Sequence, residues 1–243
     1  MNIKMIGGAA LLLAASTAQA ATMSVSYEAA GATTTTATFD YYGVETFDGK
    51  AGQTDFTSSF TYDGNTIELT YKDVKVIGAN QYGGDGGSDY AVAGLGYGTL
   101  SYSIDITQSG STGVNYFGYW LSALDAGNTV KFYSGGSEVF SFAPVNVLAL
   151  VSGQPDYWGH PVTGQNSGEP YVFLNFFYDG GTFDRIEFIQ APGGAGYESD
   201  NHTVGFFKDK GDGTPVTDVP EPGALGLLGL GLALAAVARR RKA

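Results

Sequence analysis

Thr99-Leu100-Ser101-Tyr102-Ser103-Ile104-Asp105-Ile106 carries a large apolar side chain at every second position. Leu100, Tyr102, Ile104 and Ile106 share one face of an extended chain, while a helix would scatter them around its circumference. The same period recurs where Phe183, Arg185 and Glu187 oppose Asp184, Ile186 and Phe188. Further strands are expected at 22–29, 33–42, 56–63, 66–72, 114–121, 128–133, 138–142, 170–177 and 203–208. Asp63-Gly64, Gly135-Gly136 and Asp179-Gly180-Gly181 punctuate these runs and supply the positive φ that hairpin turns require. The apolar stretch Val145 to Val151 fits one or two helical turns. About ten short strands separated by turn residues indicate an all-β fold, a single antiparallel β-sandwich or jelly roll.

Composition agrees. The chain holds 37 Gly, enough for many tight turns, and 16 Tyr with 15 Phe, enough for a core. It has no Cys, which excludes thiol nucleophiles, Cys-ligated zinc and disulfide staples.

The two ends read differently from the middle. Lys4, the apolar run Met5 to Ala15 and the A-x-A site Ala18-Gln19-Ala20 form a signal peptide over 1–20, so the mature chain begins at Ala21. An uncleaved N-terminal anchor is the alternative. At the other end, Val219-Pro220-Glu221-Pro222 precedes an uncharged segment, Gly223 to Ala238, and then the basic cluster Arg239-Arg240-Arg241-Lys242. Sixteen helical residues at about 1.5 Å each span roughly 24 Å. That falls short of the ~30 Å hydrocarbon core, and arginine snorkelling could close the gap. The cations favour the cytoplasmic side, so the domain before them faces outward. Pro220 and Pro222 hold the boundary extended.

Pro-Glu-Pro, a short apolar helix and a basic end in that order resemble the sorting signal of the PEP-CTERM proteins, the bacterial exosortase substrates. A plain tail anchor is the competing reading. The resemblance implies export through the inner membrane, transient anchoring there, and processing by signal peptidase and an exosortase-type membrane protease. The destination is then the cell surface or extracellular matrix of a Gram-negative-type bacterium. The chain so divides into signal peptide 1–20, ectodomain 21–208, flexible linker 209–218 and sorting signal 219–243, with helix 223–238 and basic tail 239–242. Its sorting residues are Val219, Pro220, Glu221, Pro222, Arg239, Arg240 and Arg241; its signal-cleavage residues are Ala18, Ala20 and Ala21.

Without the two signals, seven Lys and Arg face 23 Asp and Glu, a net charge of −16. Such a surface repels nucleic acid and anionic membranes and favours cations. Two segments have the oxygen density of a structural Ca²⁺ site. Gly83-Gly84-Asp85-Gly86-Gly87-Ser88-Asp89 is one, with a plain surface loop as the alternative. Glu198-Ser199-Asp200-Asn201-His202 is the other, expected just before the strand at 203. There Glu198, Asp200 and Asn201 are the candidate metal ligands, and a turn capped by its own side chains is the alternative.

Tyr157-Trp158 lies in a Gly- and Pro-bearing loop, where exposed rings could stack on sugars; loop anchoring is the competing reading. No catalytic constellation appears. His160 and His202 are the only histidines, no G-x-S-x-G elbow is present, and the spacing of Glu169, Asp184, Glu187 and Glu198 singles out no glycosidase pair.

Segments 117–142, 166–171, 183–188 and 198–202 resemble the ectodomain of one group of exosortase-dependent surface proteins. That resemblance implies a β-sandwich and brings no catalytic mechanism with it. The expected function is therefore a non-enzymatic surface or matrix protein, structural or adhesive, with exopolysaccharide as a neighbour. A carbohydrate-binding adhesin and a secreted glycan-active enzyme are the alternatives.

Overall fold

The computed structural model describes residues 21–110, 113–124, 126–191 and 196–217. The signal peptide, with Ala18 and Ala20, and the sorting segment 219–243 lie outside the described residues. Strands follow one another as β1 (Thr22–Tyr27), β2 (Thr38–Glu45), β3 (Phe56–Tyr62), β4 (Asn65–Lys72), β5 (Lys75–Ile77), β6 (Tyr90–Ala93), β7 (Ser101–Ser109), β8 (Tyr116–Ser122), β9 (Asn128–Ser134) and β10 (Ser137–Phe142). The α-helix α1 (Val145–Val151) precedes β11 (Val172–Asp179), β12 (Arg185–Gln190), β13 (Tyr197–Asp209) and β14 (Thr214–Pro215).

The strands form two antiparallel sheets. The larger runs β14-β1-β11-β8-β13-β6-β5, with β2 also paired to β13; the smaller runs β10-β9-β12-β7-β4-β3. One apolar core lies between them and takes side chains from both, including Ile104, Phe132, Ile186 and Phe188 from the smaller sheet and Phe117, Tyr119, Leu174 and Phe176 from the larger. Tyr119 meets Phe188 edge-on at 5.0 Å between ring centres, and Phe132 meets Phe176 at the same distance. This is a β-sandwich, and Tyr102, Ile104 and Ile106 face its core as their alternation requires.

The larger sheet is buried on its outer face as well. Every residue of β8 is buried, and so are the first six of β11 and the first nine of β13. Loops between β1 and β2, between β5 and β6, and between α1 and β11 fold over that face. Trp120, Tyr171 and Phe173 form a second apolar cluster beneath them.

Two of the three expected hairpins are present. Asp63-Gly64 closes β3 on β4 and Gly135-Gly136 closes β9 on β10, all four residues at positive φ. Asp179-Gly180-Gly181 does not close a hairpin. It passes the chain from β11 in the larger sheet to β12, which pairs with β7 and β9 in the smaller one. The dipeptide reports positive φ, present at Gly180, but not which strand comes next.

The strand expected at 33–42 begins only at Thr38, because Thr35 and Thr36 turn back to bond the buried Glu28. The strand expected at 203–208 is the C-terminal half of β13, which starts six residues earlier and runs through Glu198 to His202. Strands β5 and β6 had no clear sequence signal.

Residues 209–216 are docked, not a free linker. Lys210 Nζ donates to Asp179 Oδ2 at 2.7 Å and Ser24 Oγ at 2.9 Å. Thr214 and Pro215 pair with β1, and Val216 donates its N–H to Val25 O at 2.9 Å while burying its side chain. A polar, Gly-rich composition hid one apolar anchor and one sheet edge in need of a partner.

Gly118 tests the doubly buried sheet. A Cβ there would press into the Tyr116 hydroxyl and approach the Phe173 ring at 2.8 Å. Gly118→Ala should cost about 1–3 kcal/mol in denaturant unfolding. Gly153→Ala, where a Cβ meets open space, should stay within about 0.5 kcal/mol.

Candidate functional site

The outer face of the larger sheet collects most of the chemistry-bearing residues singled out from sequence. Asp200 is fully buried in β13, opposite Trp120 of β8. The ladder shifts register between Asp200 and Thr203, and Asn201 takes a φ of 50°. This bulge lets β13 pair with β6 before it and β2 after it.

Asp200 Oδ1 accepts the Asn201 N–H at 2.7 Å. Its Oδ2 accepts the Asp85 N–H at 3.0 Å and the Ser88 hydroxyl at 2.7 Å. Asn201 Nδ2 donates to Thr33 O at 3.0 Å and Asp85 Oδ2 at 3.1 Å. Two segments more than 100 residues apart, both flagged for oxygen density, therefore meet at one carboxylate. Gly84, at φ 95°, fits the tight loop because a Cβ would strike Ala79 and the Ser88 carbonyl.

Burial pushes the Asp200 carboxyl up to about 7, and the Asp85 charge adds to it; the three donors work the other way. Oxygens already filled by N–H and O–H donors suit an acceptor that pins a loop better than a cation ligand, and the segment expected as a self-capped turn is instead the bulged first half of β13. Among the described residues, no three His, Asp or Glu side chains converge as a metal site. Glu198, two positions away, is buried with its charge near Tyr90 and Tyr97, and burial is the main cause of the raised pKa of both phenols.

Trp120, His160 and Tyr171 pack with ring centres 5.3–5.6 Å apart. The Tyr171 hydroxyl donates to Gln81 O at 2.8 Å and stitches the loop before β11 to the loop before β6. Trp120 Nε1, Ser122 Oγ and His160 Nε2 are buried without a protein partner.

Tyr157 and Trp158 are not an open sugar platform. Tyr157 is buried and donates its hydroxyl to Glu28 O at 2.9 Å. Trp158 is half-buried, and its indole N–H reaches Val151 O at 3.2 Å. Both rings anchor the loop to α1 and to the end of β1.

His202 lies in the core between the sheets, among Phe47, Tyr71, Phe117 and Phe188. Its ring nitrogens are 3.1 Å from the Tyr71 hydroxyl and 3.0 Å from Ser199 Oγ. Burial lowers its pKa to about 3. Both Ser199 and His202 are fully buried, so their contact lies wholly inside the core.

The sorting residues Val219, Pro220, Glu221, Pro222, Arg239, Arg240 and Arg241 lie outside the described residues; Ala21 is the first described residue and is exposed. Residues 218–242 match the family model of the PEP-CTERM protein-sorting motif. This chain carries a PEP-CTERM sorting motif. The motif marks an exported protein, processed by an exosortase-type system and bound for the cell surface or beyond. No curated protein and no solved structure matches the chain.

Because its folded-state pKa is raised, Asp200 contributes stability that is full below the unfolded value of about 3.9 and is lost as pH rises through about 7. Carboxyl ¹³C NMR should place the Asp200 midpoint near 7. Ser88→Ala removes a bond to the charged form and should move that midpoint higher. A midpoint near 4 would contradict the buried clasp.

Proposed function

We infer that the mature chain is a non-catalytic, structural or adhesive component of the cell surface or extracellular matrix, lodged among exopolysaccharide. The observation that carries this reading is the PEP-CTERM motif at 218–242, directly behind a β-sandwich whose last docked residue is Val216. In this reading signal peptidase cuts after Ala20 of a Gram-negative-type precursor. The exosortase-type protease then reads Pro220-Glu221-Pro222 while the Arg239–Arg241 cluster holds the tail at the inner membrane.

The disposition of the carboxylates supports a non-catalytic role. A glycosidase needs two carboxyl groups facing one cleft, about 5–10 Å apart. Here Glu169 accepts from Asn166 Nδ2, Asp184 from the Gly135 N–H and Glu187 from the Tyr133 hydroxyl. Each is already engaged by a protein donor, Glu169 in the loop before β11, Asp184 just before β12 and Glu187 within it.

Cells expressing the full chain, fractionated into inner membrane, surface and shed matrix, should yield a C-terminally trimmed form with the matrix. Replacing Pro220, Glu221 and Pro222 together by Ala should trap full-length precursor in the inner membrane. Mass spectrometry showing normal trimming of that variant would defeat the sorting reading. A trimmed chain found only as free protein in the medium would defeat the matrix reading.

A further inference from the structure

An open groove of about 460 Å³ lies beside β2, lined by Thr34, Thr38 and Thr203 together with Phe39, Tyr42 and Val44. We propose that this groove binds a neutral polysaccharide, a pyranose ring stacking on Tyr42 and the exposed Thr34 and Thr38 hydroxyls bonding the sugar hydroxyls. The proposal rests on the surface-and-matrix reading above and names the ligand class and the site for it.

Three observations carry it. The first is an exposed ring held rigid. Tyr42 is 47% exposed and stacks on Phe39 at 5.0 Å with an interplanar angle of 29°. Phe39 in turn packs edge-on against the fully buried Tyr116 at 4.7 Å. A ring fixed in this way loses little freedom on binding, so more of the contact energy appears as affinity.

The second is a threonine-rich segment fixed from beneath. Glu28 is buried on the sheet face and its Oε1 accepts the Thr36 N–H at 2.9 Å, the Thr35 hydroxyl at 3.3 Å and Asn175 Nδ2 at 2.9 Å. The Thr35 Oγ1 also accepts the Ala37 N–H at 3.0 Å. A buried carboxylate thus orders the run Thr33 to Thr36, which as sequence reads as strand, and leaves Thr34 and Thr38 exposed at the groove.

The third is charge. No acidic or basic side chain lines the groove, in a mature chain whose net charge is −16. The surrounding field disfavours uronates and sulfated glycans at any approach within a Debye length of about 8–10 Å. A neutral polymer carries no such cost. The volume falls within the range of small-ligand sites, and its openness suits a chain lying across it better than an enclosed small molecule.

The test uses the processed chain purified from cells, titrated with cello-, laminari- and xylo-oligosaccharides and with oligogalacturonate as the anionic comparison. At least one neutral series should bind, and oligogalacturonate should bind more weakly. Tyr42→Ala should weaken binding about tenfold, the order expected for losing one stacked ring. Tyr42→Phe should keep it, and Tyr62→Ala, an exposed tyrosine of β3 outside the groove, should leave it unchanged. Circular dichroism and melting of each variant separate lost binding from lost folding. If a sugar binds equally well to folded Tyr42→Ala, or oligogalacturonate binds best, the groove is not the site. If the chain fractionates with the matrix yet binds none of these sugars, the groove proposal fails and the matrix reading stands.

Discussion

A sheet buried on both faces must satisfy from within the protein every polar group it carries. The larger sheet meets much of this constraint with buried carboxylates that gather donors from the loops above or beside them, though Trp120 Nε1 and Ser122 Oγ of β8 stay without a protein partner. Glu28 holds the threonine run, and Asp200 holds the Asp85–Ser88 loop. Glu45 accepts the Phe47 N–H at 2.6 Å and the Lys50 ammonium at 2.7 Å, and so fixes the turn after β2. An unpaired buried carboxylate would cost several kcal/mol, so each loop is bound as tightly to its acid as the acid is to the loop. Removing either partner exposes the cost in the other.

This explains how a chain so rich in glycine can keep its loops in place. Glycine permits the turn at Gly84, and Asp200 supplies the reason to stay in it. The same logic runs through Asn175 in the middle of β11. Its side chain accepts the Tyr116 hydroxyl at 2.6 Å and donates to Glu28 at 2.9 Å, so one amide links three elements of the outer face. The ordered groove beside β2 follows from the network beneath it.

Sandwich class and most strands were legible because alternation reports one buried face, and Ser101 to Ser109 is that case in full. What the alternation hid was the second buried face. Val172 to Phe177 reads Val-Phe-Leu-Asn-Phe-Phe, a nearly continuous apolar run of the kind that doubly covered strands show, and that run was the available signal. Glu198 to His202 misled for the opposite reason. Five consecutive polar residues resemble a turn, yet Asp200 and Asn201 meet the Asp85–Ser88 loop while Ser199 and His202 meet core hydroxyls, Ser199 that of Tyr102 at 2.7 Å. Long-range partners of that kind leave no local mark. Tyr157 and Trp158 misled similarly, since a loop composition cannot say whether its aromatic rings point out or down.

The docked strap changes how domain and sorting motif relate. Had 209–218 been a free linker, the sandwich could swing away from whatever holds its tail. Instead the fold extends to Val216, and Pro220 follows four residues later. Six residues lie between Val216 and Gly223, so seven Cα steps span at most about 25 Å of fully extended chain. If the tail enters a bilayer at Gly223, as its composition implies, the edge formed by β14 and β1 must stay near the membrane surface until processing. The processing machinery would then meet a folded sheet edge beside its motif and not an isolated peptide.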